Sequence, residues 1–318
     1  MNTVFWGKSG WKFLHTLTFI YPEQPTFTDK VKMRDFMNSL QFILPCKYCR
    51  SSFATYIKSV SIDEYLESRN SIIEWLYKIH NKINKKLRSQ GFCNHSNPEL
   101  DTIIHKYTEK PDSIVKTIIK LYNSKTSISS INHTLDNDND NDNDDGLQKA
   151  INYICNIGAE FLGSIIFNYQ GYYTNCHTSD EKTRIITVYN TFFNAIRPMI
   201  CSFLEHSSFC IIDYNCSNIY KNNSKTKTKT NKKQNKHLFN IRYILQQNQP
   251  YTKLIEWFYK CRDLCTMQTE FSNIEEYKAY FEKHIVSSCN NPKIDKTKLN
   301  SCRKNKKLHT KKITHSNT

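Results

Sequence analysis

A chain of 318 residues, 38% hydrophobic and 13% aromatic, has room for about two domains and enough apolar side chain for real cores, which excludes a chain disordered throughout. Seven glycines and eight prolines are few for a β-rich enzyme, and no G-x-G-x-x-G or P-loop pattern occurs, so a nucleotide held in the Rossmann or Walker manner is excluded. The net charge of +16 is concentrated in two tracts, 221–236 with seven lysines and no acid, and 291–318 with nine Lys or Arg against Asp295 alone. Such runs are usually solvated, which leaves nucleic acid a secondary partner.

The first element in chain order is an amphipathic helix over 9–20, with Trp11, Leu14, His15 and Thr18 on one face, ended by Tyr21-Pro22. Thr28-Asp29 reads as the cap of a second helix running to Leu44, with Phe36, Leu40 and Ile43 inward. Pro45 suits the first turn of a third helix, 45–58, which places Cys46 and Cys49 at its start. Segment 71–88 carries the strongest helical period, with Ile72, Trp75, Leu76, Ile79, Ile83 and Leu87 recurring on one side. Asn97-Pro98-Glu99 opens a short fifth helix to about Tyr107. The expected fold class is all-α: a four-helix bundle plus a short fifth helix over 1–110.

Residues 136–145, a run of Asn and Asp, cannot pack a core, so 111–146 reads as a linker. A second, mainly helical accessory domain is expected over 147–290, with helices near 147–169, 181–206, 238–265 and 273–286. The Lys-rich tract 221–236 interrupts it as a disordered loop, and 291–318 forms a basic tail.

Twelve cysteines, with no apolar leader visible at the N-terminus, fit a thiol-handling or metal-binding protein better than a passively stapled one. No apolar run is long enough for a membrane span, so no membrane partner is expected. Cys46-x-x-Cys49 at a helix start brings two sulfurs close, and the helix N-terminus favours a thiolate there. The same pair could also be half of a zinc site, or two buried core thiols. His80 and Asn84 share a helix face with Asn81 beside them; they are either surface polar residues or hydrogen-bonding groups aimed at a ligand. Trp6, Trp11 and His15 form a stripe that suits a core as well as a cofactor box.

In chain order these segments read W-G-x-x-x-W-x-x-L-H, then P-C-x-x-C-R-x-x-F, then W-L-x-x-x-H-N-x-I-N-x-x-L. Over roughly residues 5–107 this pattern resembles the Erv/ALR family of FAD-linked sulfhydryl oxidases, and the whole architecture looks like that of its giant-virus members. The resemblance implies a helical bundle that binds FAD noncovalently and forms a homodimer. It implies Trp11 and His15 against FAD from the first helix, with Lys8 near the cofactor's edge. From the fourth helix it implies Tyr77, His80, Asn81 and Asn84, with Lys85 and Arg88 approaching the phosphates. Cys49 would lie against the flavin and Cys46 would face the substrate. Reduced protein thiols would be the substrate and molecular oxygen the acceptor, giving hydrogen peroxide.

One position departs from the pattern. Many relatives carry a cysteine where this chain has Tyr77, which leaves Cys93 without that partner. Cys261 and Cys265, at i and i+4 beside Trp257, are candidates for a shuttle pair that would relay electrons from bulky substrates; a structural bridge or buried thiols is the plainer reading. By the same resemblance the site of action would be the host cytoplasm or the virion. The competing reading is a zinc-binding helical protein whose basic tails bind nucleic acid.

Overall fold

The computed structural model describes residues 3–92, 94–108, 115–116, 119, 153, 157–169, 177–201, 250–265 and 271–285, with backbone alone at 196–201, 250, 257 and 260–265. All regular structure among these residues is helical. Helix α1 spans Thr3–Phe19, α2 Phe27–Ile43, α3 Lys47–Ser59, α4 Arg69–Ser89 and α5 Leu100–Thr108. A 3-10 turn over Ile62–Tyr65 joins α3 to α4. Beyond these lie α6 over 157–169, α7 over Ser179–Cys201, α8 over Pro250–Cys265 and α9 over Ile274–Glu282. The expected linker, Lys-rich loop and basic tail fall almost wholly outside the described residues, as does Cys93.

Helix α1 begins at Thr3, six residues before the expected start at 9, and the caps of α2 and α3 also differ from the sequence reading. The cap of α2 is Thr26, not Thr28: the Thr26 hydroxyl accepts from the Asp29 amide, and the Asp29 carboxylate accepts from the Thr26 amide at 2.9 Å. This reciprocal pair satisfies two of the amide groups a helix start leaves open. Helix α3 begins at Lys47, so Pro45 lies before it and Cys46 is its cap, extended at φ −137° and ψ 120°. The far end of α4 is set by Gly91 at φ +70°. There the Gly91 amide bonds to the Arg88 carbonyl and the Phe92 amide to the Leu87 carbonyl, the paired closure that a left-handed residue permits.

Helix α4 packs on α1 and α3, and α2 packs on α3. Ile72, Trp75, Leu76 and Ile79 are fully buried, as their spacing requires. Trp75 is additionally pinned by its indole N–H, which donates to the Val60 carbonyl at 3.0 Å. Arg69 ties the opposite end of α4 to the chain after α1, donating to the Tyr21 carbonyl at 2.6 Å and pairing with Glu23 at 3.2 Å.

The C-terminal helices share one continuous apolar cluster with the bundle. Helix α7 lies along α2, where Phe192 stacks on Phe36 at 5.1 Å. Helix α6 crosses α1 at Gly10, where a Cβ would come within 2.9 Å of the Phe161 ring; only a residue without a side chain admits that approach. Helix α9 closes over α6, with Phe281 stacked on Phe167 at 4.6 Å. The faces of α1 and α2 that meet α6 and α7 are therefore interior surfaces of this chain. Among the described residues, no helix is long and apolar enough to cross a membrane.

Candidate active site

The chain leaves α2 at Leu44, passes through Pro45 and enters α3 at Cys46. The Leu44 carbonyl accepts from the Cys46 amide at 2.8 Å, which makes the connection a tight turn. Cys46 then sits beside the first amides of α3, where a helix concentrates positive potential. Neither Cys46 nor Cys49 is in a disulfide. A hydrogen bond from the Cys49 sulfhydryl draws the Cys46 thiol down to about 6, against the opposing effect of burial, and the backbone amides of Cys49 and Tyr48 act in the same direction. The pair thus holds one negative charge at neutral pH, the state in which sulfur attacks disulfides and electrophiles. Cys46 is 2% exposed and Cys49 is half-buried, so the residue expected to meet substrate is the more enclosed of the two.

Both sulfur residues line a cavity walled by apolar groups from four segments. Trp6 and Trp11 come from α1, Leu40 from α2, Phe53 from α3, and Ile83 and Leu87 from α4, with Phe92 just beyond Gly91. Ile83 and Leu87 belong to the apolar stripe of α4, but here that stripe faces the cavity. Among the described residues the one cation in the wall is Lys86, which donates to the Ser52 hydroxyl. Trp6 lines the same cavity, and among the described residues its buried indole N–H has no hydrogen-bond partner.

The other expected cofactor residues divide between two places. His80 stacks on Trp11 with ring centres 3.7 Å apart and nearly parallel planes, and its Nδ1 lies 3.0 Å from His15 Nε2. Burial, with His80 and Lys106 acting in the same sense, pushes His15 down to about 3; burial alone lowers His80 to about 4. Both rings are therefore neutral, one donating and the other accepting. His15 Nδ1 is buried and has no hydrogen-bond partner among the described residues. Asn81, Lys85 and Arg88 line a second, polar cavity together with Lys78, Lys82 and Asn97. Helical spacing puts that set on the side of α4 opposite Ile83 and Leu87. Asn84 donates to the Asn97 side chain at 3.2 Å, as does Arg88 at 2.8 Å. Tyr77 donates to the Pro98 carbonyl at 3.1 Å, and Lys8 is exposed on α1; neither lines either cavity. Cys261 and Cys265 lie on the backbone of α8, their side chains outside the described residues.

Sequence reading passed over Trp6 as a core residue, and over Lys86 and Phe92 entirely. The signal for Lys86 is its register: it sits three residues beyond Ile83, on the sulfur-facing side, whereas Lys85 is rotated away. Phe92 carried no signal, because its place in the wall follows from the turn at Gly91.

A flat, largely apolar ring system with polar atoms on its rim fits the first cavity. Aromatic rings line it, two sulfurs adjoin it, and the Trp6 N–H waits for an acceptor. Among the described residues no group of three or more His, Cys, Asp or Glu is placed to hold a metal ion. A thiol pair at a helix start thus adjoins an apolar, aromatic-walled cavity in a helical bundle. Residues 8–107 match the Erv1 / Alr family and form a domain of it. The chain is 40% identical over 89 residues to the mitochondrial FAD-linked sulfhydryl oxidase of Saccharomyces cerevisiae, covering 28% of this chain and 46% of that protein. It is 39% identical over 85 residues to a probable FAD-linked sulfhydryl oxidase of Acanthamoeba polyphaga mimivirus, covering 26% and 59%. A third relative, an FAD-linked sulfhydryl oxidase of Arabidopsis thaliana, is 33% identical over 81 residues, covering 26% of this chain and 41% of that one. The chain thus spans about half the length of these relatives.

Proposed function

We propose that the protein is an FAD-linked sulfhydryl oxidase that forms disulfides in protein substrates. The observation that carries this reading is the Cys46–Cys49 pair, its thiol drawn down to about 6, set in the wall of an aromatic cavity within the family domain. In the oxidised enzyme the two residues form a disulfide. A substrate thiolate attacks Cys46 Sγ; the new sulfur–sulfur bond forms as the Cys46–Cys49 bond breaks, and Cys49 leaves as a thiolate. A second substrate thiol resolves the mixed disulfide, so the substrate leaves oxidised and both cysteines are reduced. When bound, FAD supplies the two-electron acceptor that lets the pair close again and the passage of those electrons to oxygen, giving hydrogen peroxide.

The residues that would hold the ring system are Trp6, Trp11, Cys49, Phe53, Lys86 and Phe92, with the neutral His15–His80 pair behind Trp11. Asn81, Lys85 and Arg88 would serve the charged tail from the second cavity. The proposal includes a homodimer, whose interface would lie away from the α1 and α2 surfaces that the C-terminal helices cover. It also includes action in a viral setting, host cytoplasm or virion, in keeping with the mimivirus similarity.

The test is oxygen consumption by the purified protein with dithiothreitol, alongside its visible spectrum. A yellow protein that consumes oxygen, and whose Cys46→Ser and Cys49→Ser variants stay yellow but lose turnover, is the expected result. A colourless protein, or undiminished turnover in either variant, removes the oxidase reading.

A further inference from the structure

The residue after the thiol pair, Arg50, is a buried cation at 8% exposure. Its amide donates to the Cys46 carbonyl at 3.0 Å as part of the first turn of α3. Its side chain turns back past the pair, and Nη1 donates to the Leu44 carbonyl at 2.6 Å. That carbonyl is the one that also takes the Cys46 amide. Arg50 therefore grips both ends of the Leu44–Pro45–Cys46 turn, by its backbone on the far side and by its guanidinium on the near side. Taking such a group out of water is costly, and its retention beside a reactive centre calls for a purpose there.

The surroundings of Arg50 are contributed partly by the C-terminal region. Tyr189 of α7 is 1% exposed and lies within electrostatic reach of the guanidinium. It is held firmly: its hydroxyl donates to the Ile165 carbonyl of α6 at 2.9 Å, and its ring meets Tyr169 edge-on at 4.8 Å. The same α7 helix lies along α2, the element that ends at Leu44.

We propose that Arg50 is a positioning residue for the thiol pair, clamping the turn that sets Cys46 against the first amides of α3, and that α7 takes part through its packing along α2, the helix that leads into that turn. This rests on the oxidase reading for its purpose, but not for its test. The packing behind the turn extends past the family match, because α7, which lies along α2, is beyond residue 107.

The mechanism of the effect is geometric first. The lowered Cys46 thiol depends chiefly on the Cys49 sulfhydryl, then on the amides of Cys49 and Tyr48. Each of these contacts requires the cysteine to enter the helix at one angle, and the Leu44 carbonyl defines that angle. Burial draws the guanidinium itself down to about 10, and the nearby Cys46 and Tyr189 act to hold its proton on. The other titratable groups around the pair are Tyr48 and Lys47 on α3, Lys86 on α4 and the N-terminal amine, which acts on Cys46 in the lowering sense; the parts of α1 and α2 that wall the cavity carry none.

The experiment is alkylation of the reduced full-length protein by iodoacetamide as a function of pH, followed by mass spectrometry. Trypsin cuts after Lys47 and so separates Cys46 from Cys49. The wild-type midpoint for Cys46 should lie near about 6. Arg50→Met should raise it by about one pH unit, a roughly tenfold loss of thiolate below the midpoint. Arg50→Lys, with one donor in place of the fork, should fall between, and Tyr189→Leu should shift the midpoint upward by less than Arg50→Met. A merely structural role would lower the melting temperature and leave the midpoint where it is. An unchanged midpoint in folded Arg50→Met overturns the proposal; should that variant fail to fold, unchanged midpoints in both Arg50→Lys and Tyr189→Leu overturn it instead. Since alkylation needs no flavin, a shifted midpoint in a protein without oxidase turnover would keep the positioning role and remove only the oxidase reading.

Discussion

His15 Nε2 and His80 Nδ1 lie 3.0 Å apart, so two helices separated by most of the bundle sequence share a single proton. Burial holds both rings neutral, His15 near about 3 and His80 near about 4. Each folded-state value lies below the ordinary 6.5, so the unfolded chain binds more protons between those limits, and stability rises with pH across that window. The contribution is complete above about pH 6.5 and is lost as pH falls toward about 4. Thermal melts should show a steady transition from pH 8 to about 6.5 and a progressive fall below it, steeper than in a His80→Phe variant, which lacks the second ring. Parallel profiles for the two proteins would show that the pair does not titrate this way.

Trp6 separates cofactor binding from fold stability. Its buried indole N–H costs the unliganded protein a lost hydrogen bond, of the order of 1–3 kcal/mol. Trp6→Phe removes that cost along with some packing, so urea unfolding of the flavin-free protein should change by no more than about 1 kcal/mol, the two effects offsetting. Flavin affinity, measured by quenching of flavin fluorescence, should fall by about tenfold or more, as for a lost hydrogen bond of about 1.4 kcal/mol. Equal affinity in the variant would mean that the N–H serves nothing in the cavity.

Gly91 acts on the cavity through the backbone. At φ +70° an alanine incurs roughly 1–2 kcal/mol of strain. Gly91→Ala should therefore fray the end of α4, move Phe92 from the wall and weaken flavin retention while leaving Cys46 alkylation unaffected. Retention of flavin equal to wild type after gel filtration would count against this link.

Gly163 tests whether the C-terminal helices are integral to the fold. A Cβ there would lie 2.2 Å from the Phe281 ring, a contact that needs the α9 helix to shift. Gly163→Ala should destabilise the whole chain by about 1–3 kcal/mol through overpacking, in one cooperative denaturant transition, because bundle and C-terminal helices share one core. Two separated transitions would show that they unfold independently.

Local patterning was enough for much of this protein. The period of Ile72, Trp75, Leu76 and Ile79 marks α4, and Cys46 and Cys49 at a helix start mark the thiol pair, because helix faces and cap positions depend on neighbours a few residues away. Tyr21-Pro22 marks the end of α1 for the same reason. The cap of α2 was misplaced by two residues because Thr26 and Thr28 offer the same hydroxyl, and only the reciprocal bond with Asp29 chooses between them. What tertiary structure alone decided is which surfaces meet. Ile83 and Leu87 read as core but wall a cavity, Lys86 and not Lys85 faces the thiol pair, and Tyr189, more than a hundred residues on, comes within electrostatic reach of Arg50. A one-residue step on a helix turns a side chain by about 100°, and contacts across the chain depend on how whole helices pack, which no local period encodes.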